Sequence, residues 1–181
     1  MSTAGRLLVA TPLLSDPNFD RTVVLMLEHS DEGALGLVLN RPSDLPVTDI
    51  LPDWAVLASS PDEVFHGGPV STDSALALVR TTGGPVIGVR QLPHEVGVVD
   101  LDTPTELVAD AVTALRVFAG YAGWGAGQLE GEIDEGAWFV VDSLPDDAFT
   151  NDPEHLWRRV LRRQAHPLSL VASFPRDPAL N

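Results

Sequence analysis

The stretch TVVLMLEHSDEGALGLVLN, residues 22–40, decides the fold. Residues 22–28 and 34–40 are apolar and rich in β-branched side chains, which is typical of β-strands. Ser30-Asp31-Glu32-Gly33 lies between them and has the chemistry of a turn, so the two runs predict an antiparallel hairpin. Gly36, inside the second run, predicts a β-bulge or the close approach of another backbone.

On both sides of this hairpin, the first hundred or so residues read as strands and loops. The predicted segments are a strand at residues 6–11, a loop with a helical turn at 43–63, a second hairpin formed by 75–80 and 86–90, and a strand at 95–99.

The pattern changes at Thr103. Thr103 and Glu106 form a capping box, Pro104 suits the first helical position, and apolar residues then recur at helical spacing, so residues 104–119 predict a helix. The later predicted segments are a glycine-rich loop at 120–127, a helix at 128–133, a strand at 137–142, a helix from Asp152-Pro153 to about Arg163, a strand at 168–174 and a loose tail at 175–181. Hairpins followed by mixed helices and strands predict one α+β domain over residues 1–181, with a largely antiparallel or mixed sheet.

The composition excludes several classes of function. The 181 residues include no cysteine, and all eleven basic residues are arginine. Thiol catalysis, disulfides, Schiff-base chemistry and a P-loop lysine are therefore excluded. The net charge of −15 disfavours binding to nucleic acid or to anionic lipids. The sequence shows no targeting segment and no membrane span, so we expect a cytoplasmic protein.

Two glycine-rich motifs do not complete a known site. In the stretch from Gly123 to Gln128, glutamine stands where a dinucleotide fingerprint needs its last glycine. His66-Gly67-Gly68-Pro69 is similar to esterase oxyanion loops, but the chain contains no G-x-S-x-G nucleophile motif. The five histidines have no metal-ligand spacing. We therefore expect no cofactor and no metal.

Several stretches of this chain resemble the AlgH/YqgE family of bacterial proteins. They are LVATPLLSDPNFDRTVV at 8–24, EHSDEGALGLVLNRP at 28–42, GGP at 67–69, GYAGWGAGQLEGEI at 120–133 and AW at 137–138. The resemblance implies a small cytosolic protein with a compact α+β fold, in which helices flank a curved, barrel-like sheet. Some members are described as transcriptional regulators.

The motif residues of this resemblance imply where a site would lie. Polar, aromatic and turn residues at strand ends and loops are where a rigid scaffold usually places function. We therefore predict one shared cleft, and the candidate ligand-binding residues are His29, Asn40, Arg41, Gly67, Gly68, Trp124 and Gln128.

Three functional hypotheses follow. The first is a non-enzymatic binding or regulatory protein that engages a small molecule or a protein partner. The second is an enzyme of unrecognised type, such as a hydrolase, that uses His29 or His66 with a carboxylate. The third is direct DNA binding through the basic helix face of Arg158, Arg159, Arg162 and Arg163. The sequence leaves the ligand, the partner and the oligomeric state open.

Overall fold

The structure is a computed structural model, and it describes residues 2–176. Its strands are β1 (Arg6–Ala10), β2 (Val23–Ser30), β3 (Gly33–Val38), β4 (Pro42–Pro46), β5 (Glu63–His66), β6 (Val70–Thr81), β7 (Val89–Gln91), β8 (Val96–Val99), β9 (Val112–Gly125) and β10 (Trp138–Asp142). Its α-helices are α1 (Val47–Ile50), α2 (Pro52–Ala55), α3 (Gln128–Asp134) and α4 (Leu156–Arg162).

The strands form one ten-stranded sheet in the order β10-β1-β2-β3-β9-β6-β8-β7. All pairs along this path are antiparallel, whereas β5 joins β9 in parallel and carries β4 on its other side. The prediction of an α+β fold with a largely antiparallel, curved sheet is confirmed. In the described part of the chain, no helix is long and apolar enough to cross a membrane.

The sheet is covered on both faces, and this explains its apolar strands. In β1, Leu7 and Val9 belong to one buried cluster, and the alternate residues Leu8 and Ala10 belong to another. The first cluster packs against α4 and the second against α3. Strands with two buried faces read as continuous apolar runs rather than as alternating ones.

The central hairpin is confirmed. β2 and β3 pair antiparallel from Val24 opposite Val38 to Ser30 opposite Gly33. The register shifts between Met26 and Glu28, so a bulge lies opposite Gly36. A Cβ on Gly36 would lie 2.7 Å from Cγ1 of Val24, so both features predicted from this glycine are present.

The predicted helix at 104–119 and the predicted loop at 120–127 are wrong. Residues 105–107 and 109–111 form two 3₁₀ turns, and residues 112–125 are the long strand β9. β9 pairs with β3, β5 and β6, so it runs through the middle of the sheet, and its central side chains, residues 115–118, are buried. A short apolar run in such a position cannot be distinguished from a buried helix by its periodicity.

Two other predictions are wrong. β6 does not pair with β7: β8 lies between them and pairs with both. The predicted strand at 168–174 is a 3₁₀ helix, Leu168–Ser173, whose apolar side chains join the cluster packed against α4.

The helices predicted at 128–133 and after Pro153 are present as α3 and, after a 3₁₀ turn, as α4. The predicted loop at 43–63 contains β4, α1 and α2, and most of the predicted tail, residues 177–181, lies outside the described part.

Candidate functional site

His29 is the first of the candidate residues, and it lies near the end of β2 with a side chain only 6% exposed. The backbone N–H of Thr3 donates to its Nδ1 at 3.1 Å, so this nitrogen carries a lone pair. The neutral ring then donates from Nε2 to a carboxylate oxygen of Glu130, 2.7 Å away on α3. His29 therefore ties the N-terminal segment, β2 and α3 together.

Glu130 lies in the first turn of α3, and the hydrogen bonds available there lower the pKa of its carboxyl. A hydrogen bond from its own backbone N–H and the bond from His29 hold the pKa of its carboxyl below the ordinary value. The carboxylate itself is 53% exposed, so it lies at the surface and not in a closed pocket.

Trp124 and Gln128 meet at Glu132, also on α3. Oε2 of Glu132 accepts the indole N–H of Trp124 and that of Trp138, each at 2.9 Å. Oε1 accepts a bond from the amide of Gln128 at 3.0 Å, and the carbonyl of the same amide accepts the N–H of Gly125. This arrangement joins the end of β9 to α3 and β10. The polar groups of Trp124, Gln128 and Glu132 all form hydrogen bonds in it.

Gly67 and Gly68 lie between β5 and β6, against the backbone of β9. The N–H of Gly67 donates to the carbonyl of Ala119 at 2.9 Å. Gly68 has a φ of +154°, and a Cβ there would overlap the backbone of Tyr121. These glycines are required by the close approach of two backbones.

Asn40 and Arg41 follow β3 and hold the loop before β2. The side-chain carbonyl of Asn40 accepts the N–H of Val23, and its amide donates to the carbonyl of Arg21, both at 2.9 Å. Arg41 donates from its guanidinium to the backbone carbonyls of Pro17 at 3.1 Å and Asp20 at 2.8 Å.

Asn40 and Arg41 also line a cleft, which we call the arginine cleft. It has a volume of about 1040 Å³, and its walls carry four arginines, four carboxylates, four prolines and Trp157. Ligand pockets usually measure roughly 300–1,000 Å³, so a small molecule fits this space. The arginines are Arg21, Arg41, Arg158 and Arg176.

Arg21 has an unusual conformation at this cleft. Its φ is +53°, in the left-handed region that residues other than glycine rarely adopt. Its guanidinium lies over the Trp157 ring, 4.6 Å from the centroid, and donates to the carbonyls of Phe174 and Pro175. Burial lowers its pKa, Asp20 opposes this effect, and the charges of Arg158 and Arg176 lower the pKa further. The cleft therefore brings several guanidiniums together beside carboxylates.

The basic face predicted on the last helix is divided in the structure. Arg158 lines the arginine cleft. Arg163 instead forms a two-pronged ion pair with the buried Asp147, with both nitrogen–oxygen distances at 2.6 Å. Arg159 and Arg162 are exposed. Arg158 and Arg163 therefore do not form one exposed basic face with Arg159 and Arg162. Direct DNA binding through this helix stays an untested prediction.

The structure places the seven candidate residues in different neighbourhoods. Asn40 and Arg41 line the arginine cleft, whereas His29, Trp124 and Gln128 are tied to α3 and the two glycines lie against β9. One cleft lined by all seven stays a prediction.

Sequence reasoning missed Arg21, Trp157 and Arg176 as cleft residues. A signal existed for Arg21, which falls within the first stretch of the family resemblance. Arg158 was named from the sequence, but as part of a candidate DNA-binding face and not as a residue of this cleft.

The candidate histidine bases and the expected absence of a metal site can also be compared with the geometry. Among residues 2–176, no group of three or more histidine or carboxylate side chains could hold a metal ion. His66 is exposed, and its ring makes no hydrogen bond within the described part of the chain. Of the two histidines proposed as bases, only His29 contacts a carboxylate there.

Comparisons with known proteins agree with this fold along almost the whole chain. A family model described as AlgH-like matches residues 7–169. A UPF0301 protein of Streptomyces coelicolor is 58% identical, over 99% of this chain and 96% of that protein. A crystal structure of a protein from Corynebacterium diphtheriae aligns with a TM-score of 0.90 at 34% identity, covering 94% of this chain and 92% of that one. The solution structure of AlgH from Pseudomonas aeruginosa aligns with a TM-score of 0.72 at 30% identity, covering 98% and 96%.

Proposed function

The chain belongs to the AlgH-like family, and from this premise we propose that it is a non-enzymatic binding protein that holds a small anion in the arginine cleft. One observation carries the proposal. Arg21, Arg41 and Arg158 line one cleft without a carboxylate partner among residues 2–176, although the chain has 26 acidic and only 11 basic residues.

This arrangement is unusual for so acidic a chain. Five other arginines do pair with carboxylates in the described part: Arg6, Arg80, Arg90, Arg163 and Arg176. Carboxylates are therefore available in excess, yet three guanidiniums that share a cleft do not use them. The charges of Arg158 and Arg176 repel that of Arg21, whereas Asp20 attracts it, and an anion bound among the guanidiniums would add to this attraction. Guanidinium groups are also the preferred partners of carboxylate and phosphate oxygens.

The chemistry of the cleft supports binding rather than catalysis. Arginine stays protonated at physiological pH, so it orients and holds an anion but does not exchange protons with it. The histidine of the cleft, His155, is bonded to Asp152 at 2.9 Å, and both side chains are about half exposed, at 62% and 49%. Nδ1 of the His155 ring is thus already engaged within the protein.

Thermal-shift measurements with AMP, inorganic phosphate and citrate test the proposal, and adenosine serves as the uncharged control. A ligand at 100 times its dissociation constant adds about 2.7 kcal/mol to the free energy of unfolding. We expect stabilisation by at least one anion and none by adenosine. Arg41→Gln and Arg158→Gln should each reduce it.

Arg159→Gln is the matched control, because Arg159 neighbours Arg158 on α4 but does not line the cleft. It should bind like the unaltered protein. Equal loss in all three variants, or no stabilisation by any anion, would contradict the proposal.

A second candidate function is the hydrolase that the sequence suggested through His29. The supporting observation is a chain of three side chains: Oγ1 of Thr3 lies 2.9 Å from Nδ1 of His29, and Nε2 of His29 lies 2.7 Å from Glu130. A hydroxyl, a base and an orienting carboxylate are the parts of a nucleophilic site. However, Thr3 is only 6% exposed, and its own backbone N–H occupies the same nitrogen.

Hydrolysis of p-nitrophenyl acetate distinguishes this candidate. An active site would lose roughly 10²–10⁴-fold in rate in His29→Gln. Thr3→Val, which has the same shape without the hydroxyl, would lose activity as well. Background rates in all three proteins would leave the Thr3–His29–Glu130 contacts as a structural link only.

The cytoplasmic location predicted from the sequence remains part of this proposal. Cell fractionation with an antibody to the protein would test it, and recovery in the membrane or culture fraction would contradict it.

A further inference from the structure

We infer that the ligand of the arginine cleft carries a phosphate monoester, which is bound by Arg21, Arg41 and Arg158 together. This inference rests on the proposed binding function and specifies its ligand class. Three features support it: the number of guanidiniums, the way in which they are held, and a buried arginine behind the cleft.

The number of guanidiniums favours an anion with three terminal oxygens. A carboxylate offers two oxygens, whereas a phosphate monoester offers three strong acceptors and a charge of roughly −1.5 to −2. Three arginines without carboxylate partners among residues 2–176 line the cleft. A phosphate monoester offers an oxygen to each of the three guanidiniums, whereas a simple carboxylate offers only two.

Two of the three guanidiniums are held in place before any ligand binds. Arg41 is fixed by the carbonyls of Pro17 and Asp20. Arg21 is fixed by its stacking on Trp157 and by two carbonyls of the C-terminal segment. Neutral carbonyls position a guanidinium without cancelling its charge. Arginines held in this way lose less conformational entropy when they bind an anion.

Asn40 links the two arginines. Its amide donates to the carbonyl of Arg21, which holds that residue at a φ of +53°, and Arg41 follows it in the chain. Strained backbone of this kind persists only where the surroundings fix it, and it is common at binding sites. Asn40 is therefore a positioning residue for the cleft and need not contact the ligand.

A further positive charge lies behind the cleft wall. Arg116 is 1% exposed and donates to the backbone carbonyls of Ser59, Ser60 and Thr150. The residues that follow these in the chain, Pro61 and Asn151, line the cleft. Burial lowers the pKa of Arg116 to about 10, so it stays charged at neutral pH. Its charge attracts an anion in the cleft without contacting it.

Two of the four carboxylates of the cleft are paired with other cleft residues. Glu154 pairs with Arg176 at 3.7 Å, and Asp152 is bonded to His155. Asp20 and Glu63 remain. They repel any anion, and a dianion more than a monoanion, so a phosphate monoester is favoured only through its contacts with the three guanidiniums.

Isothermal titration of the full chain with phenyl phosphate, phenyl sulfate and benzoate tests the inference. The first two have the same shape, but the sulfate ester carries one negative charge, and benzoate has two oxygens. We expect phenyl phosphate to bind at least tenfold more tightly than either, which is about 1.4 kcal/mol. Arg158→Gln should remove most of this preference, and Arg159→Gln should keep it.

A pH series gives an independent readout. Phosphate monoesters lose their second proton near about pH 6, so the preference over phenyl sulfate should fall about tenfold from neutral pH to about pH 5. Asp20, Glu63, Asp152, Glu154 and His155 also line the cleft, so phenyl sulfate, which keeps one charge over this range, serves as the reference for their effect.

The outcomes separate this inference from the proposed function. Equal binding of all three probes would overturn the phosphate assignment and leave anion binding standing. A preference that persists in Arg158→Gln would also overturn it. Failure of every probe, together with failure of AMP, phosphate and citrate, would remove both.

Discussion

Replacing Glu132 by alanine tests whether Trp124 and Gln128 are structural residues or ligand contacts. The carboxylate of Glu132 accepts both indole N–H groups and the amide of Gln128. Trp124 and Trp138 are only 6% and 3% exposed, so water has little access to the two indole donors once the carboxylate is gone.

The magnitude follows from these contacts. A buried donor left without a partner costs about 1–3 kcal/mol, so two would cost about 2–6 kcal/mol. Glu132 is itself half-buried, and water that enters its place would satisfy part of the loss. We therefore expect Glu132→Ala to reduce the free energy of unfolding by about 2–4 kcal/mol.

Glu132→Gln is a finer test. Its carbonyl oxygen can still accept the two indole N–H groups, but its amide would face the amide of Gln128, donor against donor. Neutral hydrogen bonds contribute about 0.5–1.5 kcal/mol, against about 1.5–3 kcal/mol for bonds to a charged group. The loss should be smaller than for alanine but measurable.

Urea denaturation followed by tryptophan fluorescence measures both variants, because two of the four tryptophans lie at the site. Glu135→Ala is the control, since Glu135 is exposed and lies one turn further along the same segment. A loss in Glu132→Ala no larger than in Glu135→Ala would refute the structural reading. Trp124 and Gln128 would then return as candidate ligand contacts.

Three further predictions concern the other candidate residues. Asn40→Ala should reduce stability by about 1–3 kcal/mol in urea denaturation, because it leaves the buried N–H of Val23 without its acceptor; an effect below that of a surface substitution would contradict this. Gly68→Ala should prevent folding or lower the melting temperature far more than Gly127→Ala, since a Cβ at Gly68 meets backbone and one at Gly127 meets open space; similar melting temperatures would count against the close approach. The pKa of Glu130 is lowered in the folded state, so its contribution is present above its ordinary value of 4.5 and is lost as the pH falls through the folded value; the stability difference from Glu130→Gln should shrink on acidification, and a pH-independent difference would oppose this.

The central hairpin was predictable because its signals are local. Apolar β-branched runs, an intervening turn and one glycine within residues 22–40 were enough to predict the strands, the turn and the bulge. Helices α3 and α4 were also predictable, and Pro153 marked the approach to the second one. Each of these signals depends on neighbours within a few residues along the chain.

The strand β9 was not predictable in the same way. Thr103, Pro104 and Glu106 resemble a helix start, and the apolar residues that follow fit helical spacing. In the structure the same residues pair with β3, β5 and β6, so long-range strand pairing determines their conformation. Helix propensity is weak against such pairing, because burial in the sheet contributes far more than capping does.

The sequence by itself determined the hairpin, the α+β class and the family, and it pointed to Asn40 and Arg41. Only the tertiary structure placed Arg158 and Trp157 of α4 beside Arg21 from the other end of the chain. It also showed that His29, Trp124 and Gln128 use their polar atoms within the protein. The physical reason is that a hairpin and its turn depend on residues close together in the chain, whereas a cleft forms where distant elements pack, and no local pattern records that packing.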